Sequence, residues 1–134
     1  MVISASHNPA RDNGIKFFHR SGYKLPDELE LEMECLVDAT EHGDRPNGDA
    51  VGCVQPASDA EEAYLEHLLS VVSPDLSGLS AVLDCAHGAA YRVAPMLLER
   101  LGARVTVLNA EPDGLNINLQ CGSTHTEQLQ RVVL

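Results

Sequence analysis

The sequence predicts an α/β protein with mixed sheets and flanking helices. Three observations point there. Residues 80–109 read as strand, helix, strand, with a glycine closing the helix. Residues 1–20 read as strand, polar loop, strand. Two further stretches, 26–42 and 58–72, place apolar residues at helical spacing.

Taken in order, "MVIS" (1–4) has the character of a buried strand end, and a strand starting at residue 1 predicts chain upstream of it. "GIKFFHR" (14–20) is rich in β-formers and predicts a second strand. Between them lies "ASHNPARDN", whose last residue forms an Asn13-Gly14 turn signal, because both residues tolerate positive φ. Pro26 suits a first helical turn, where its missing N–H costs nothing, and Leu29, Met33, Leu36 and Val37 form one stripe of the helix it opens, to about residue 42. Residues 43–57 hold several helix breakers and read as a linker, with a short strand expected around Val51–Val54. Ser58 and Glu61 match a capping box, and Tyr64, Leu65, Leu68, Leu69 and Val72 supply the apolar face that follows.

"SAVLDCA" (80–86) and "ARVTVLN" (103–109) are strands joined by a helix over 88–102, with Pro95 early in it and Gly102 at its C′ position. A strand-helix-strand unit of this length predicts a parallel pair with a right-handed crossover. Residues 110–123 form a polar loop, and Thr124 with Glu127 matches a second capping box before a last helix. The domain expectation is 1–54 as one part and 55–134 as another. Both sheets would be incomplete, and their open edges predict pairing with another copy, as a homo-oligomer or swapped dimer.

Composition narrows the function. Of 134 residues, 44% are hydrophobic and 22% charged, a soluble globular balance. Net charge is −11, with no basic stripe, which argues against a nucleic-acid partner. The same acidity opposes docking on an anionic membrane. No apolar stretch is long enough to span a bilayer, and no signal peptide is evident. Cys35, Cys53, Cys85 and Cys121 form no CxxC pair, so reduced thiols in a cytoplasmic protein are expected, with Cys85 a core residue. His19, His42, His67 and His125 are scattered and read as surface residues.

The chemistry is concentrated in residues 4–16. A loop after a buried strand can hold a side chain rigidly at a sheet edge. Ser6 offers a nucleophile or phosphate carrier, though a serine needs activation. His7 is a poor base for it, because neighbours in an extended segment face opposite ways. Lys16 is the better-placed cation for phosphate oxygens. From the residues alone, a solvated polar turn accounts for the stretch as well as a reactive loop does.

"ISASHNPARDNGIKFF" (3–18) resembles the active-site loop of the α-D-phosphohexomutase family, through Ser6-His7-Asn8-Pro9 and Asn13-Gly14-Ile15-Lys16. The "SAS" lead and "DNGIKFF" ending are closer to the branch acting on hexosamine phosphates than to the phosphoglucomutase/phosphomannomutase branch. "DCA", "PDG", "NIN" and "CGSTH" within 83–129 resemble that branch's second domain. His87 stands where Asn is common, and Thr126 where Pro is usual.

The resemblance implies parts of two consecutive phosphohexomutase domains, the C-terminal part of domain I over 1–54 and the N-terminal part of domain II over 55–134. It implies that Ser6 is a phosphoserine. Through a bisphosphate intermediate it would interconvert glucosamine 6-phosphate and glucosamine 1-phosphate, a step toward cell-wall precursors. Lys16 and His7 would be catalytic, Asn8 and Asn13 would contact substrate or phosphate, and Mg²⁺ would be held through the Ser6 phosphate. The aspartate-rich metal loop of the family has no match here, so its ligands are expected outside this chain and the 134 residues alone are expected to be inactive. Asp84 and Asp113-Gly114 read as a strand-end carboxylate and a turn rather than substitute ligands, and Ser123 and Thr124 as helix caps. A glucose or mannose phosphate mutase, or a non-catalytic fragment, are the alternatives.

Overall fold

The computed structural model describes residues 1–39, 46–72 and 74–134. These form two compact units, Met1–Ile3 with Ile15–Ala57, and Ser4–Gly14 with Ser58–Leu134. Strands β1 (Val2–Ser4) and β2 (Gly14–Lys16) pair as a two-stranded sheet.

In the first unit, β2 is shorter than the expected 14–20. The reason is a tight turn: the His19 N–H donates to the Tyr23 carbonyl at 2.9 Å, Gly22 takes φ +86°, and Phe18 bridges antiparallel to Lys24. Helix α1 (Asp27–Asp38) follows, with Pro26 at its N-cap rather than inside its first turn. Asp27, Glu28 and Glu30 crowd that turn, where the helix dipole favours negative charge. Lys24 joins Asp27 and Glu30 at 3.2 and 3.0 Å. The helix ends four residues before the expected 42, since Ala39 is extended; residues 40–42, including His42, lie outside the described residues, as do Gly43, Asp44 and Arg45 of the expected linker. The α1 stripe is apolar but largely uncovered, with Leu36 66% and Val37 75% exposed. Residues 46–57 are exposed; after a single 3₁₀ turn at Gly48–Ala50 the expected strand at 51–54 does not form, and those residues are irregular.

The second unit holds the βαβ core. Strands β3 (Ser80–Asp84) and β4 (Arg104–Leu108) are parallel, in register from Ser80 opposite Arg104 to Asp84 opposite Leu108. Between them a 3₁₀ turn (Ala89–Tyr91) leads into helix α3 (Val93–Arg100), so the expected helix over 88–102 is divided and shorter. Pro95 is its third residue and is buried, where a helix has no backbone N–H to lose. The helix closes as a Schellman motif. Gly102 at φ +97° donates to Glu99, and Ala103 to Leu98, at 2.9 and 3.0 Å.

Helix α2 (Ala60–Val71) packs on α3. Leu65 is its fully buried anchor, while Tyr64 on the expected apolar face stays 53% exposed. Arg100 clasps Glu62 with two bonds of 2.7 and 2.8 Å, and Arg92 pairs with Glu61 at 3.0 Å. Helix α4 (Glu127–Val133) lies against β3. Neither expected capping box forms. Asp59 precedes α2 and Thr126 precedes α4, and neither side chain caps a helix N–H; Ser123 and Thr124 fall instead within a 3₁₀ turn. The Thr126 hydroxyl takes a bond from the Gln130 amide at 2.9 Å. Ala103, Cys85 and Cys121 complete the buried apolar set of this unit together with Ala5 and Leu65.

Candidate functional site

The loop after β1 belongs to the second unit and is shaped by its own polar groups. Ala5 is buried and anchors it. Ser6 takes φ +54°, a left-handed conformation that a non-glycine residue adopts only against a cost. Its N–H donates to Ser4 Oγ at 3.1 Å, and the Asn8 N–H donates to the Ala5 carbonyl at 2.9 Å. The chain then makes a 3₁₀ turn at Ala10–Asp12. The expected Asn13-Gly14 turn is absent. Asn13 is extended at φ −69°, its Oδ1 accepts the Gly14 N–H at 3.0 Å, and Gly14 already belongs to β2. The chain reverses earlier, between Ala5 and Asp12, because Ser6 rather than Gly14 takes the left-handed turn.

The expected site residues fall as follows. Ser6, His7, Asn8 and Asn13 share this loop and are exposed, a hydroxyl, an imidazole and two amides at one strand end. Ser4 ends strand β1, as the "MVIS" reading expected, and its Oγ accepts the Ser6 N–H. Lys16 lies in the first unit, at an open groove of about 650 Å³ lined also by Phe17, Phe18, Leu25, Met33 and Val37. Its ammonium pairs with no carboxylate among the described residues.

A residue outside the expected set reaches the loop. Asn118 Nδ2 donates to the carbonyls of Ser6 and Asn8, each at 2.8 Å. Asn118 is in turn fixed by the loops at the ends of β3 and β4. Its N–H donates to the Ala86 carbonyl at 2.9 Å. Asp84 organises that region: Oδ1 accepts the Ala86 N–H at 2.9 Å and Asn109 Nδ2 at 3.0 Å, and Oδ2 accepts the Gly122 N–H at 2.9 Å. Burial, the largest single influence, raises the Asp84 pKa, but the Gly122 and Ala86 N–H groups, the Asn109 amide and nearby His87 outweigh it and hold the carboxyl below the usual aspartate value. His87 Nδ1 accepts the Glu111 N–H at 3.1 Å, so this ring nitrogen serves a backbone contact. Asp113 Oδ1 accepts the N–H groups of Leu115 and Asn116 around Gly114, the turn expected there.

Known proteins match this chain in two ways. Residues 1–44 match the family model described as phosphoglucomutase/phosphomannomutase, alpha/beta/alpha domain I. The phosphoglucosamine mutase of Symbiobacterium thermophilum is 59% identical over 134 residues, covering 99% of this chain. Those of Moorella thermoacetica and Clostridioides difficile are 55% and 53% identical over the whole chain. The chain is homologous to phosphoglucosamine mutases from end to end. It spans about 30% of the length of each of these relatives. Both quoted motifs, at 3–18 and within 83–129, lie inside the region matched to these relatives.

The magnesium implied by this relationship does not fit the described residues. They contain no group of three His, Cys, Asp or Glu side chains able to hold a metal ion. Asp84 is half-buried, and backbone and amide donors already occupy both of its oxygens. The described residues thus offer no metal cage, and no chemical step is derived through magnesium. Asn118 itself was legible only as one polar residue of the "NIN" stretch. Its hydrogen bonds span 112 and 110 residues, a separation that no local pattern encodes.

Proposed function

We propose that these residues are part of a phosphoglucosamine mutase that interconverts glucosamine 6-phosphate and glucosamine 1-phosphate. The observation that carries this reading is 59% identity to a phosphoglucosamine mutase across essentially the whole chain. In this reading residues 1–54 belong to domain I and 55–134 to domain II, and Ser6 is the phosphate carrier. A hydroxyl oxygen of the hexosamine phosphate attacks the phosphorus, the P–Oγ bond to Ser6 breaks, and the hydroxyl proton passes to a nearby base. The resulting bisphosphate reorients and returns its other phosphoryl group to Ser6. The proposed roles rest on charge and exposure. Ser6 is exposed, and its own N–H and carbonyl are both engaged. Lys16, paired with no carboxylate among the described residues, offers a cation to neutralise phosphate oxygens as charge moves between them and can assist proton transfer. His7, Asn8 and Asn13 stand exposed on the loop, able to donate to phosphate or sugar oxygens. Magnesium belongs to the proposal for the whole enzyme, with its cage supplied from outside this chain. A cytoplasmic location suits a sugar-phosphate substrate and four free cysteines; among the described residues no helix is long and apolar enough to cross a membrane.

The test is intact-mass analysis and assay of the full-length protein. A phosphorylated species lost in Ser6→Ala, with turnover of glucosamine 6-phosphate above that of glucose and mannose 6-phosphates, supports the reading. Faster turnover of the glucose or mannose phosphate transfers it to the phosphoglucomutase/phosphomannomutase branch named by the domain I match. No phosphate on Ser6 after incubation with a hexosamine bisphosphate overturns it in favour of a non-catalytic protein.

A further inference from the structure

We infer that Asn118 is a positioning residue for the Ser6 loop, setting the angle from which the serine presents its phosphate; this rests on the mutase reading above. Four observations converge. First, both hydrogens of the Asn118 amide are committed to the loop, one to the Ser6 carbonyl and one to the Asn8 carbonyl, each at 2.8 Å. An amide NH₂ has two donors, so no donor capacity is left for substrate. Second, among the described residues these are the only hydrogen bonds joining residues 5–13 to any distant part of the chain. Third, they grip a residue in an unfavourable conformation. Ser6 at φ +54° stays left-handed only if its surroundings hold it, and Ser4 Oγ on its N–H and Asn118 on its carbonyl engage both of its backbone groups.

Fourth, the Asn118 amide is preorganised. Its backbone is at φ +59°, a region asparagine tolerates better than most residues, and its N–H is tied to Ala86. Its Oδ1 lies against Gly122, where a Cβ would come within 3.2 Å of that oxygen. The oxygen is therefore turned to the glycine and the nitrogen to the loop. Asp84 fixes both walls of this seat, through the N–H groups of Ala86 and Gly122. The tether thus runs from the ends of the parallel strands to the serine, and the alignment of the phosphoryl group depends on it. Misplacement of a reacting group by about 1 Å can cost about 100-fold in rate.

The experiment uses the full-length protein and two variants that accept the left-handed backbone. Asn118→Gly removes the amide, and Asn118→Asp keeps its shape but turns an acceptor toward two carbonyls. Asn116→Ala breaks bonds of the neighbouring 111–116 turn without touching residues 6–8, and serves as the stability comparison. Hydrogen exchange at the Ser6 and Asn8 amides, the bonded ones of this stretch, should quicken about tenfold in both Asn118 variants, as local opening becomes easier. Mutase kcat should fall by about 10- to 100-fold, with KM for the sugar phosphate changing less than about threefold. Asn116→Ala, at comparable loss of melting temperature, should leave kcat within about threefold of wild type. Unchanged exchange at these two amides overturns the tether. Quickened exchange with unchanged kcat, or an equal kcat loss in Asn116→Ala, overturns the positioning role. A wild-type protein with no mutase turnover refutes the functional reading and with it the positioning role, while the exchange comparison still decides the tether separately.

Discussion

The Asp84 carboxylate accepts the Gly122 N–H at 2.9 Å, tying the end of strand β3 to a loop 38 residues later. The same carboxylate holds the Ala86 N–H and the Asn109 amide. Asp84→Asn replaces one acceptor oxygen with a donor that faces N–H groups. It should cost about 1–3 kcal/mol at neutral pH in chemical denaturation, the penalty for leaving polar groups unmatched. A midpoint unchanged from wild type would sink this account of the carboxylate.

Asp84 also predicts how stability responds to acid. Its folded pKa lies below the ordinary value, because the donors favour the charged form more than burial opposes it. Its contribution is therefore complete above the unfolded pKa of about 3.9, and is lost as pH falls from there through the depressed folded value. Melting temperature followed from pH 7 into that acid window should drop less steeply in Asp84→Asn than in wild type. Parallel acid limbs would contradict it.

Gly102 closes helix α3 at φ +97°, and a Cβ there would meet Ser77 Oγ at 2.9 Å and the Ser77 backbone nitrogen at 3.1 Å. Gly102→Ala should destabilise by about 1–2 kcal/mol from the left-handed backbone alone, with the Ser77 contact adding to it. A gain in stability, as expected for alanine replacing glycine in an ordinary helix, would show that the Schellman closure is not retained in solution.

Leu65 of helix α2, which packs on α3, is fully buried, whereas the arginine-glutamate pairs Arg92–Glu61 and Arg100–Glu62 are exposed and screened by salt. Leu65→Ala should cost about 2–5 kcal/mol, as for other buried leucines. Removing Arg100 should cost far less, and its effect should shrink further in high salt. The reverse order would mean that the ion pairs, not the apolar anchor, hold the two helices.

The four cysteines should separate into two classes. Cys85 and Cys121 are buried, and burial, reinforced by the nearby Asp84 charge, pushes both thiols up in pKa. Cys35 and Cys53 are exposed. Mass-resolved alkylation under native conditions should modify Cys35 and Cys53 and spare Cys85 and Cys121 until the protein unfolds, since the thiolate is the reactive form. Early labelling of Cys121 would contradict its packing.

Elements whose information is local were readable from residue order. Apolar runs of β-formers located β3 and β4, helical spacing located α1, α2 and α3, and Gly102 marked a helix end, because each depends on residues within a turn or two of one another. The two motifs with the Ser6 loop and the 83–129 stretch were legible for the same reason. Local patterns also misled where another partner competed. Ser58 and Thr124 were placed as helix caps, yet the helices start later, and the Asn13-Gly14 turn gave way to a left-handed Ser6. The α1 stripe was read correctly as apolar, but its spacing could not reveal that Leu36 and Val37 stay exposed. What holds the candidate site together emerges from long-range contacts. Asp84 reaches Gly122, and Asn118 reaches Ser6 and Asn8 across more than a hundred residues. A hydrogen bond depends on distance and direction in space, and the folded sheet, not the order of residues, sets both.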